Sequence, residues 1–74
     1  MTNQRHKKIQ YMIRRLSYHM QVCDEIHDDE TTQRQNFGAH MEEETAICKD
    51  NEKCLMEAMT HIQSAIEELK QIDP

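Results

Sequence analysis

Only one glycine and one proline interrupt the 74 residues of this chain. A fold rich in tight turns needs more of both, because these residues supply the backbone conformations that turns demand. Tryptophan is absent, and the aromatic rings are limited to Tyr11, Tyr18 and Phe37. A sheet-built core draws on aromatic and β-branched side chains and is not expected here. No apolar run approaches the roughly 20 residues of a membrane span. Near the start, Arg5, His6, Lys7 and Lys8 precede a segment interrupted by Arg14, Arg15 and His19, which does not read as a signal peptide. There is no glycine-rich loop, and no Ser or Cys stands in an evident His-paired setting. Nucleophilic catalysis thus has no candidate residues, and neither a catalytic nor a cofactor-binding residue is assigned. A non-enzymatic protein of the cytoplasm is expected.

Cysteine is present but unpaired in pattern. Cys23, Cys48 and Cys54 are odd in number and lack a paired spacing, a poor disulfide framework that suits a reducing compartment. Each falls on or beside an apolar stripe, where a free Cys acts as a small hydrophobe. The net charge of −5 argues against a general nucleic-acid binder, although the charge is unevenly spread.

What remains is helix-forming material. The chain is 31% charged and rich in Glu, Gln, Lys, Met, Ile and Ala, which lose little rotamer freedom in helices or are tolerated there. At about 100° per residue, Ile9, Ile13, Leu16, Met20, Cys23 and His27 share one line, with Met12 and Ile26 widening one flank. Thr2 or Asn3 is suited to cap the start. Residues 28–36 carry no apolar side chain, and the first stripe stops before them.

A second stripe collects Phe37, Met41, Cys48, Leu55, Met59, Ile62, Ile66 and Leu69, with Ile47, Cys54, Ala58, Ala65 and Ile72 along one shoulder. Its phase holds through the polar residues 49–53, which predicts one long helix of about 35 residues, roughly 50 Å. The start could be capped by Asn36, or by Thr32 with Gln35 three residues on. Asp50 or Asn51 could instead open a third helix. Glu44 and Asn51 read as polar residues in this seam, and a seam Asn can fix register. Pro74 stands where a helix must end.

The expected fold is therefore all-α: an antiparallel two-helix hairpin, or three helices, forming a single helical domain over residues 1–74. Its elements are a helix at about 3–29, a polar turn at about 28–38 and a long helix at about 37–72. Two such stripes exceed what one hairpin buries, and chains of this size commonly need a staple or a partner. Two hairpins closing into a four-helix bundle is the simplest remedy. The pairing interface is assigned to Ile9, Ile13, Leu16, Met20, Cys23, Met41, Leu55, Met59, Ile62, Ile66 and Leu69. The partner is this chain itself or another helical protein.

Charge order supports an antiparallel neighbour. Helix 1 begins with Arg5, Lys7, Lys8, Arg14 and Arg15 and ends with Asp24, Glu25, Asp28, Asp29 and Glu30, opposing its own macrodipole. Glu67 and Glu68 of helix 2, or the acidic end of a second helix 1, would offset the basic start.

Opposite the first apolar stripe run Lys7, Tyr11, Arg14 and Tyr18, basic residues interleaved with rings. Such a face suits a protein hot spot, where Tyr and Arg are enriched. It equally suits ordinary surface, each ring lying on a basic stem. As an alternative function, a dimeric regulator would contact nucleic acid through it. Asp24, His27 and Glu30, and separately Glu57 and His61, have helical spacing compatible with metal ligation but form an incomplete set beside the ligands of a di-metal bundle; no metal residue is assigned. Of the five histidines, His27 is the one whose charging near pH 6–7 would bear on pairing.

Overall fold

The computed structural model describes residues 2–38 and 40–72, without the side chains of Thr2 and Asn3. The cap side chains expected at Thr2 or Asn3, and the stop at Pro74, lie outside the described residues. Two helices follow in order, α1 (Thr2–Asn36) and α2 (Glu42–Lys70), packed against each other as a hairpin. Residues 49–53 lie within α2 without a break. The backbone is a rod, 61 Å long and 14 by 11 Å across.

Expectation and structure differ at the turn. The polar residues 28–36 are not a loop but the last turns of α1, and α2 starts at Glu42 rather than near Phe37. Nothing in DDETTQRQN breaks a helix, and these residues have polar partners across the hairpin. Arg34 gives a two-pronged ion pair to Glu52, Nε to Oε1 at 2.6 Å and Nη2 to Oε2 at 3.4 Å. Asn51 Nδ2 donates to Glu30 Oε2 at 3.3 Å. The chain reverses between the two helices, where the Phe37 amide donates to the Arg34 carbonyl and the Met41 amide to the Gly38 carbonyl.

Met41 occupies the N-cap of α2 without a side-chain hydrogen bond. Glu42, Glu43 and Glu44 in the first turn provide the negative charge that a helix N-terminus favours. At the other end, the Gln71 amide closes onto the Glu68 carbonyl at 3.1 Å.

The two helices share one spacing. Along α1 and into the turn, Ile9, Ile13, Leu16, Met20, Cys23, His27, Glu30, Arg34 and Phe37 are all buried or half-buried, four and three residues apart in alternation. Along α2 the matching series is Met41, Thr45, Cys48, Glu52, Leu55, Met59, Ile62, Ile66 and Leu69. The seam therefore takes Thr45 and Glu52, and not Glu44 and Asn51, which are exposed. A stretch counted at 100° per residue drifts about 20° per heptad from a seam with seven-residue periodicity, which is enough to move the choice by one position.

Burial is shallow. Only Ile9 (7% exposed), Cys48 (4%) and Ile66 (4%) are buried hydrophobics among the described residues. The surface of the chain is 5971 Å², whereas a compact monomer of 8.9 kDa would expose about 4,800 Å². The excess of about 1,200 Å² follows from the elongated shape of a two-helix rod. Because a core of this size supplies about 3–5 kcal/mol, Ile66→Ala, expected to cost about 2–4 kcal/mol, should remove most of the helical circular dichroism signal at 25 °C. Glu44→Ala should leave it within error.

Candidate association surface

The eleven residues assigned to pairing all lie on the inward side of the hairpin, Ile9 and Ile66 buried and the other nine half-buried. They meet each other across the two helices of one chain, and apolar groups remain outside that seam. Met12, Ile26, Ile47 and Ile72 are 43%, 44%, 58% and 45% exposed, respectively.

Their arrangement follows from helix geometry. Successive side chains on α1 and α2 advance in the same rotational sense along each chain, but the helices run in opposite directions. Seen down the rod, the rotation of one helix is therefore reversed, and flanks of the same angular sign come to the same side. Ser17, Met20, Gln21 and Asp24 of α1 accordingly share shallow grooves with Met56, Met59, Thr60, Gln63 and Ser64 of α2. Met56 is the exposed large hydrophobe of this side; the other exposed residues there are polar. On the opposite side, Met12, His19 and Ile26 of α1 accompany Ile47, Cys54, Ala58 and Ala65 of α2, with Ile72 just past its end. The two apolar shoulders form a single face.

At the turn end the seam is polar, a feature hidden from a search for apolar periodicity. The guanidinium of Arg34 holds the Glu52 carboxyl below its ordinary range through their hydrogen bond. Next to this pair is Cys48, whose thiol is pushed up chiefly by burial and further by neighbouring Glu30 and Glu52. Thr31 Oγ1 is buried without a hydrogen-bond partner among the described residues, close to the same Glu52 carboxylate. The continued spacing of His27, Glu30 and Arg34 behind Cys23 is the sequence signal that could have revealed this segment.

The tyrosine stripe is exposed throughout: Lys7, Tyr11, Arg14 and Tyr18 all face solvent on the back of α1. The cation over Tyr11 is Arg15, 5.9 Å from the ring centre, and Tyr18 meets His19 edge-on at 5.8 Å. A shallow groove joins Tyr11, Met12, Arg15, Leu16 and His19, where the back of α1 meets the apolar face.

Among the described residues, no group of three or more His, Cys, Asp or Glu side chains is placed to hold a metal ion. Asp24, His27 and Glu30 are not gathered with Glu57 and His61 into one set. Likewise, no helix is long and apolar enough to cross a membrane. No protein-family model, no curated protein and no solved structure matches the chain.

Two measurements test the turn-end cluster. Folding holds the Glu52 pKa down, so the associated stability is present above the ordinary carboxylate value of 4.5 and is lost as the pH falls through the lowered one. An acid titration should thus destabilise the hairpin below that range, and Glu52→Gln should be less stable at pH 7 with a flatter response. A timed alkylation at pH 8 reads the burial of Cys48. Buried Cys48, its thiol kept protonated, should react only as fast as the chain unfolds.

Proposed function

We propose that this chain is a non-enzymatic helical protein–protein interaction module that pairs, in coiled-coil-like fashion, with a second copy of itself to complete a four-helix bundle. The observation that carries this reading is the uncovered apolar face on a chain whose own seam buries very few side chains. That face carries Met12, Ile26, Ile47 and Ile72, all exposed in the single chain. Small helical chains without a disulfide framework commonly reach stability by association, and closed two-fold dimers are its most frequent form.

Such a module acts as an adaptor, small chaperone or regulator. Packing on the apolar face leaves the back of α1 in solvent, so Lys7, Tyr11, Arg14 and Tyr18 stay available to a further protein. Tyr and Arg suit that role, since they contribute large contact area and directed hydrogen bonds.

Light scattering on the isolated chain tests the reading. The expected mass is twice the 8.9 kDa of one chain, with helical signal and mass falling together on dilution. A well-folded monomer that melts at high temperature would overturn it. In the assembled protein, Tyr11→Ala with Arg14→Ala should preserve mass and helicity while abolishing capture of whatever protein the back face binds.

A further inference from the structure

Resting on that self-association reading, we infer that the second copy packs on the Met12, Ile26, Ile47 and Ile72 face with its long axis reversed, so that His19 of one chain faces His19 of the other. The partner is another copy of this chain, because the apolar face is self-complementary about one point.

On α1, Met12 and Ile26 lie seven residues either side of His19, two turns each way along one line. Turning a second α1 around at His19 puts each Met12 on an Ile26. On α2, the pairs Cys54 with Ala65 and Ala58 with His61 share a single midpoint, between Met59 and Thr60, about which Ile47 also matches Ile72 just past the helix end. Met20 and Met59 line one groove, so His19 and the α2 midpoint stand at nearly the same height along the rod. One two-fold axis, crossing the rod at that height, serves both helices.

Charge selects the same orientation. The open end carries the basic start of α1, whereas the turn end carries Asp28, Asp29 and Glu30 beside Glu42, Glu43 and Glu44. Copies with reversed axes bring the basic start of each α1 to the acidic end of the other, which also offsets the unfavourable placement of these charges on the helix dipole. Copies pointing the same way would oppose acid to acid at the turn end, an arrangement that like-charge repulsion disfavours. The other broad side offers one exposed hydrophobe, Met56, among Ser17, Gln21, Asp24, Thr60, Gln63 and Ser64, against four on the proposed face.

Oxidative cross-linking of His19→Cys tests the pairing. Packed helices lie 8–10 Å apart with Cα atoms about 2.3 Å from each axis. Facing positions therefore approach to about 5 Å, within disulfide reach. The expected result is a covalent dimer on a non-reducing gel. Wild type should give none under the same conditions, because the two Cys54 side chains on the paired face would be eleven residues of helical rise apart, about 16 Å. Tyr18→Cys, one residue away on the back of α1, should also give none. Should His19→Cys lose its helical signal, Met12→Cys with Ile26→Cys tests the same register and is expected to link position 12 of one chain to position 26 of the other. A dimer by light scattering that fails to cross-link would overturn this orientation and leave self-association standing. A monomer would overturn both.

Discussion

Reversal of direction between two helices of the same hand is the constraint on which this molecule depends. Each helix alone has an apolar stripe and an apolar shoulder on one flank. Had α1 and α2 run parallel, their shoulders would have faced opposite sides of the pair, leaving two narrow strips of exposed hydrophobe. Antiparallel packing reverses the apparent rotation of one helix and brings Met12 and Ile26 to the side that carries Ile47, Cys54 and Ile72. A broad apolar face results, backed by a mostly polar one.

The seam between the helices is divided along its length. From the open end to Cys23 and Leu55 it is aliphatic and sulfur-containing, and its contribution is burial of apolar area. Towards the turn it becomes polar, with Arg34 on Glu52 and Glu30 on Asn51. Part-exposed ion pairs add little net stability, but a two-pronged guanidinium–carboxylate contact is directional. One residue of slippage would break it. We read this end as setting register and the apolar end as supplying most of the adhesion, with Cys48 packed where the two regimes meet.

A rod with so little fully buried side chain has its stability coupled to whatever covers it. Association would extend the principle already used within the chain, apolar stripe on apolar stripe with reversed direction, by one further layer. The reversed charge order of α1 then has a physical purpose: within a lone helix it opposes the dipole, whereas between two reversed copies the same charges attract.

The order of residues alone indicated the helical class and the apolar stripe of each helix, and favoured continuity of α2 through residues 49–53 over a third helix, because apolar spacing and the lack of Gly and Pro are local properties. The same spacing placed Lys7, Tyr11, Arg14 and Tyr18 together on the back of α1. The extent of α1 was not legible in that way, since His27, Glu30 and Arg34 keep the seam spacing with side chains that apolar periodicity does not count. Their role depends on Glu52 and Asn51, about twenty positions away in sequence and brought alongside only by the turn. Tertiary structure alone also decided that the two shoulders share a side, because that outcome depends on the relative direction of the helices, which no single stripe encodes.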